Sequence, residues 1–190
     1  VNRGGCVVIA GTSAGIYWST DAGATWSLGN GSPTSVVSVK FSTSDAQHAW
    51  TLGRSDSMRV YLTSDAGVTW TRSEPGFVTL KTVNLVPDPE TPTAAYLGAQ
   101  TGIFRLTDMG SKWSTVHSGW HIAKISTITA GPPGSDRAYL EMAENGVFKT
   151  LDRGMNWTRC NDFLSCGNIC AIGVLFESGG DALYTLEGSG

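Results

Sequence analysis

Short apolar runs, broken by glycine, serine, threonine and proline, cover the chain. One class of run alternates. Val37, Val39 and Phe41 are expected to share one face of a strand, as are Ile172, Val174 and Phe176. A second class reads Val7-Val8-Ile9-Ala10, Ala49-Trp50-Thr51-Leu52, Ala95-Tyr96-Leu97-Gly98 and Ala138-Tyr139-Leu140, with a further copy at Ala182-Leu183-Tyr184-Thr185. A third follows a glycine or a loop: Gly15-Ile16-Tyr17, Val60-Tyr61-Leu62, Gly102-Ile103-Phe104 and Gly146-Val147-Phe148. No window holds an apolar period of 3.6 residues for a useful length, so the pattern predicts strands and no helix.

The third class of run leads each time into an octet: Ser19-Thr20-Asp21-Ala22-Gly23-Ala24-Thr25-Trp26, Thr63-Ser64-Asp65-Ala66-Gly67-Val68-Thr69-Trp70, Leu106-Thr107-Asp108-Met109-Gly110-Ser111-Lys112-Trp113 and Thr150-Leu151-Asp152-Arg153-Gly154-Met155-Asn156-Trp157. All four read Asp-x-Gly-x-x-Trp, and the Asp-to-Asp steps are 44, 43 and 44 residues. An Asp in a turn accepts hydrogen bonds from backbone N–H groups just ahead of it. The Gly takes positive φ without steric cost, and the Trp buries a large ring. The octet is therefore read as a hairpin turn that pins its own register, with Asp21, Gly23, Trp26, Asp65, Gly67, Trp70, Asp108, Gly110, Trp113, Asp152, Gly154 and Trp157 as structural residues. A calcium loop is the competing reading, but each octet supplies one carboxylate and the EF-hand spacing is absent.

Each unit offers four short strands in roughly 44 residues, the length of one propeller blade. Labelling them A to D from the alternating run to the run carrying the Trp gives about 17 strands, beginning at B and ending at a further A and B. The expectation is an all-β protein, a β-propeller of four-stranded antiparallel blades with about four blades in residues 1–190. Repeats are expected at about 6–35, 36–78, 79–122 and 123–166, with a partial copy at 167–190. The ring either closes at about four blades, is completed by another chain, or belongs to a longer protein. The chain opens on Val rather than Met, which reads as processed, trimmed or a piece of something longer; no signal-peptide pattern stands at its start.

The octets resemble the Asp-box, or BNR, repeat, Ser/Thr-x-Asp-x-Gly-x-Thr/Lys-Trp, of sialidases, xyloglucanase-type glycoside hydrolases, the sortilin-type receptor ectodomain and photosystem II assembly factors. The first two octets match best. The third and fourth replace Thr before Trp by Lys112 and Asn156 and are read as shifting the leading hydroxyl to Thr107 and Thr150. Asp88-Pro89-Glu90-Thr91-Pro92 before the strand at Ala95 is closer to the xyloglucanase and sortilin types. The resemblance covers nearly the whole chain. It implies a propeller whose boxes are structural and whose ligands meet the face made by the B–C and D–A connections.

Composition narrows the function. Lys and Arg number 13 against 16 Asp and Glu, for a net charge of -3, and a nucleic-acid partner would need a basic stripe that is missing. No apolar run approaches the ~20 residues of a membrane span, and 41% hydrophobic content at low net charge excludes a disordered chain. None of the eight arginines stands in a sialidase-type motif, and Ile103-Phe104-Arg105-Leu106 lacks the proline such a motif carries. There is no phosphate-binding glycine loop and no Gly-x-Ser-x-Gly elbow.

Two kinds of site remain. Glycoside hydrolysis needs two carboxylates about 5 to 9.5 Å apart. The connection carboxylates are Asp56, Glu74, Glu144 and Glu187, with Glu141 just inside strand B; Asp56 and Glu144 hold corresponding B–C places and are the catalytic pair if the chain is an enzyme. The bland reading is solvated loop charge. For binding, His117-Ser118-Gly119-Trp120-His121 places Trp120 between His117 and His121, with Arg54 and Phe77 on the same face. Such a set suits a sugar ring or a protein anchor, unless Trp120 packs between blades. Cys6, Cys160, Cys166 and Cys170 lack zinc spacing; a local disulfide near the fourth D–A connection or buried thiols are both open. The sequons at Asn30 and Asn156 are weak, the first followed by Pro33 and the second holding Trp157. The residues point to a non-catalytic module for a glycan or protein partner. The alternative is a glycoside hydrolase or part of one. In either case the expectation is an extracytoplasmic setting, no metal, no cofactor, no nucleic acid and no membrane insertion, with self-association one way to complete the ring.

Overall fold

The computed structural model describes residues 6–42, 44–54, 58–73, 82–99, 102–117, 125–142, 145–160, 169–177 and 180–187. Among them, 17 strands form five antiparallel sheets. The first holds β1 (Val8–Thr12), β2 (Gly15–Ser19) and β3 (Ser27–Leu28). The second holds β4 (Val36–Phe41), β5 (Ala49–Arg54), β6 (Met58–Thr63) and β7 (Thr71–Ser73). The third holds β8 (Thr82–Pro87), β9 (Ala95–Ala99), β10 (Gly102–Thr107) and β11 (Lys112–His117). The fourth holds β12 (Ile125–Ala130), β13 (Ala138–Met142), β14 (Gly146–Thr150) and β15 (Thr158–Arg159), and the fifth holds β16 (Ile169–Leu175) and β17 (Ala182–Glu187). The only helical turn among the described residues is a 3₁₀ turn at Asp108–Gly110.

Strands pair in simple meander order, and each sheet packs on the next with the A strands β4, β8, β12 and β16 side by side. These are the blades of a β-propeller, here an open arc: no extensive packing joins β16 and β17 to the first sheet among the described residues. Because side chains alternate across a strand, one face of each blade meets the preceding blade and the other the following one. On the C strands, Ile16, Val60, Ile103 and Val147 look forward and are fully buried. Burying side chains of that size contributes roughly 1.5–3 kcal/mol each. Tyr61, Phe104 and Phe148 look back into the joints behind them.

One sequence expectation needs correction. Val37 does not share a face with Val39 and Phe41; it is exposed, and Val36 packs with them instead. The cause is a bulge between Val36 and Ser38, where the ladder to β5 slips by one residue. The other A strands bulge at the same early place, at Thr82/Asn84, Ile125/Thr127 and Ile169/Ala171. Beyond its bulge β16 alternates as expected, with Ile172, Val174 and Phe176 packed on Tyr139 and Val147 of the fourth blade.

Candidate functional site

The octets form the C–D turns. In the first, Asp21 Oδ1 accepts the Ser19 hydroxyl at 2.7 Å and the Thr25 N–H at 2.9 Å, while Oδ2 accepts the Thr25 hydroxyl at 2.6 Å. Ser19 Oγ accepts the Gly23 N–H at 2.8 Å, and the Trp26 indole N–H donates to Gly23 O at 3.0 Å. The second octet repeats every bond with Thr63, Asp65, Gly67, Thr69 and Trp70. So does the fourth with Thr150, Asp152, Gly154, Asn156 and Trp157, where Asn156 Nδ2 donates to Asp152 Oδ2 at 2.7 Å in place of the threonine hydroxyl. Thr150 thus stands where Ser19 and Thr63 stand, two residues before Asp, and is not shifted; only the third octet departs.

There Leu106 fills the hydroxyl's place and is buried in the core. Without that hydroxyl the turn rewinds: Asp108 and Met109 both take left-handed φ, of 51° and 52°, and the Asp108 carboxylate turns out to meet Lys112 Nζ at 2.8 Å.

The intact turns hold their carboxylates ionised. The Thr25 hydroxyl, followed by the Thr25 N–H and the Ser19 hydroxyl, keeps Asp21 well below the usual carboxylate range. The Asn156 N–H does the most for Asp152. Burial pushes Asp65 up, but the Thr69 hydroxyl and N–H and the Thr63 hydroxyl outweigh it, so its pKa is also lowered. With these oxygens taken by donors of the turn itself, a cation would have to displace the bonds that shape the loop.

Of the residues assigned to the loop face, Arg54 ends β5 and is exposed; its N–H donates to Ser35 O at 2.7 Å. His117 ends β11, across the ladder from Ile103. Asp56, Glu144, Trp120, His121 and Phe77 lie outside the described residues, as do Glu74 and Cys166. Glu141 sits in β13 and is 1% exposed. In register it matches Leu52 of β5 and Gly98 of β9, so one blade carries a carboxylate where its siblings carry an apolar side chain or none. Arg59 lies near Arg54 at the start of β6, and its buried Nε has no hydrogen-bond partner among the described residues.

The turn face holds a shallow charged cleft between the third and fourth blades, lined by Asp88, Glu90, Tyr96, Asp136, Arg137 and Arg153. Its charges pair with one another. Arg153 bonds both Glu90 and Asp136, and Glu90 Oε1 accepts the Gly134 N–H at 2.7 Å. The buried Asp88 meets Arg105 at 2.8 Å and accepts the N–H groups of Glu90 and Thr91. Burial pushes Asp88 up, but the Arg105 bond, those two N–H groups and the Arg105 charge together leave it below its ordinary value. Tyr96, whose hydroxyl donates to Arg153 O at 2.9 Å, is pushed up to about 12, chiefly by burial. At the next joint Asp181 accepts from Arg137 and from the Tyr139 hydroxyl. The sequence reading missed this stitching, although an acidic residue in the connection before the B strand was visible in the second to fifth blades, at Asp45, Asp88, Asp136 and Asp181.

No protein-family model and no curated protein matches the chain. Solved structures do. An ancestral GH74 enzyme superposes with a TM-score of 0.70 at 18% identity, over 92% of this chain and 26% of that one. YCF48 from Cyanidioschyzon merolae gives 0.70 at 14% identity, over 96% of this chain and 64% of that one. A structure titled as YCF48 bound to D1 peptide gives 0.51 at 16% identity, over 83% and 43%. PorZ, an essential surface component of the type-IX secretion system of Porphyromonas gingivalis, gives 0.68 at 15% identity, over 98% and 25%. The likeness is one of fold, and the chain spans about a quarter of the length of the GH74 enzyme and of PorZ.

Proposed function

We propose that this chain is a non-catalytic Asp-box propeller that binds a partner, a protein or a glycan, through the face made by its B–C and D–A connections. Trp120 would be the anchor, flanked by His117 and His121, with Arg54 and Phe77 completing the patch. The observation that supports this reading is where the carboxylates of the turn face go: Asp21, Asp65, Asp88, Glu90 and Asp152 are consumed by donors of the fold, which makes that face scaffold and leaves recognition to the other. A protein partner fits the company the fold keeps, since YCF48 is seen with a peptide and PorZ serves a secretion system. The latter also fits an extracytoplasmic setting. No described helix is long and apolar enough to cross a membrane.

A glycoside hydrolase, or a part of one, is the second reading. The GH74 likeness and the buried Glu141 in β13 favour it. Its acid and base would be Asp56 and Glu144.

One pair of measurements separates the two. The chain is passed over glycan and peptide arrays, and xyloglucan hydrolysis is followed by release of reducing ends. Binding that Trp120→Ala weakens, without hydrolysis, supports the module. Hydrolysis lost in Asp56→Asn or Glu144→Gln supports the enzyme. Binding untouched by Trp120→Ala overturns the anchor.

A further inference from the structure

The connection from β3 to β4 carries Gly29-Asn30-Gly31, and it is sewn onto the octet of the second blade. Asn30 forms a parallel bridge with Thr69: its N–H donates to Val68 O at 2.9 Å, and its O accepts the Trp70 N–H at 2.8 Å. This seam admits only glycine on either side. A Cβ on Gly29 would lie 2.7 Å from Gly67 O, and one on Gly31 would lie 2.4 Å from Trp70 O, at a residue whose φ is 74°. Packing against the second blade thus dictates that glycine follows Asn30.

Asn-Gly carries its own chemistry, asparagine being one of the heat-labile residues. With no side chain on residue 31, its nitrogen meets the least hindrance in reaching the Asn30 side-chain carbonyl. Asn30 is exposed, and neither its side-chain amide nor the Gly31 N–H has a hydrogen-bond partner among the described residues. What restrains them is the main chain. The bridge holds residue 30 extended, whereas a five-membered imide needs its ψ turned out of the extended range. Reaction therefore waits for the bridge to open.

We infer that Asn30 is a self-modification site whose conversion loosens the seam between the first and second blades. In the open form the Gly31 nitrogen loses its proton and bonds to Asn30 Cγ; the Cγ–Nδ2 bond breaks, and ammonia leaves with that proton. Water then opens one of the two imide C–N bonds. Opening at Cγ leaves aspartate in an unchanged main chain. Opening at the Asn30 carbonyl carbon leaves isoaspartate: the main chain runs through Cβ and Cγ, one methylene longer, and the carbonyl that Trp70 bonded becomes a free carboxylate. A stretch with no room for a Cβ does not absorb that methylene, so the isoaspartyl chain does not restore the seam. This chemistry is independent of what the loop face binds.

The test is incubation of the chain at mildly alkaline pH, with peptide mapping by electron-transfer fragmentation to follow Asn30 apart from the second Asn-Gly at Asn145-Gly146. Aspartate and isoaspartate should accumulate at position 30. Asn30→Gln, whose longer side chain would need a six-membered ring, should stay unconverted. Unfolding in urea should speed conversion about tenfold or more. Asp65 holds the N–H of Thr69 at 2.8 Å, so Asp65→Ala loosens the bridge's partner and should speed conversion about fivefold. The converted pool, separated by ion exchange, should melt below freshly made Asn30→Asp, which has the same charge on an unchanged main chain. A folded chain that stays unconverted at 30 while the unfolded one converts overturns the site. Equal rates in the folded and unfolded chains overturn the restraint by the bridge, and a converted pool that melts with Asn30→Asp overturns the loosening of the seam.

Discussion

Ser73 and Trp113 belong to different blades, yet the Trp113 indole N–H donates to Ser73 Oγ at 2.8 Å, and that hydroxyl donates in turn to Gly110 O at 2.9 Å. In the other three octets the indole closes on its own glycine carbonyl. The third octet has lost that closure, and a hydroxyl from the preceding blade occupies both groups instead. Ser73→Ala should therefore orphan a donor and an acceptor together and destabilise the chain by about 1–3 kcal/mol. Ser73→Thr keeps the hydroxyl and should recover most of it. Urea unfolding of the two variants checks this; equal losses would mean that the site feels volume and not hydrogen bonding.

Asp65 and Asp108 share a motif position but hold different bonds. Asp65 accepts three bonds from Thr63 and Thr69, so Asp65→Ala should destabilise by about 1–3 kcal/mol. Asp108 offers only an exposed ion pair to Lys112. Asp108→Asn, which tolerates the left-handed backbone there, should stay within about 0.5 kcal/mol of the parent. Denaturation midpoints of both give the ranking, and equal losses would refute the account of the third turn.

The fold was legible because period and punctuation agree: alternating runs, Asp-x-Gly turns and a 44-residue step all demand the same blade. What escaped was set by tertiary partners. The flip of Val37 needs the bulge, which is a property of the ladder to β5 and not of the valines. The third octet keeps Asp, Gly and Trp yet folds differently because Leu106 removes one hydroxyl, a detail hidden by counting Thr107 as its substitute. The joint between Asp181 and Arg137 spans 44 residues, and only the stacking of blades brings them together. The loop-face residues named for function fall mostly outside the described residues, so Arg54 and His117 alone can be placed.

The lowered carboxylates set an acid limb. Asp21, Asp65 and Asp152 have pKa values below those of an unfolded chain, about 3.9. A depressed folded pKa contributes stability that is complete above the unfolded value and is lost as pH falls through the folded one, where the unfolded state binds more protons. Melting temperature should thus hold above about pH 5 as far as these groups act, and fall steeply below about pH 4. Thr25→Ala removes the largest cause of the Asp21 shift; it should lower stability at neutral pH and make that fall shallower, because the gap between the folded and unfolded values narrows. Side-chain carboxyl titration by NMR reads Asp21 directly; an unmoved value in Thr25→Ala would refute the hydroxyl's role.

The octet glycines separate backbone strain from packing between blades. Gly23, Gly67 and Gly110 have φ of 92°, 97° and 88°, so alanine meets nearly the same backbone penalty at all three. Their surroundings differ. A Cβ at 110 would lie 2.2 Å from Leu62 Cδ2 and 3.2 Å from Ser73 Cβ, one at 67 would lie 2.9 Å from the flexible end of Ile9, and one at 23 would meet Trp26 at 3.4 Å. Overpacking a filled joint costs about 1–3 kcal/mol, and a movable side-chain end softens it. Gly110→Ala should therefore be the most destabilising, Gly67→Ala intermediate and Gly23→Ala the mildest, the extremes differing by about 1–3 kcal/mol. Equal losses at all three in chemical denaturation would assign the glycines to the turn alone and remove them from the joint.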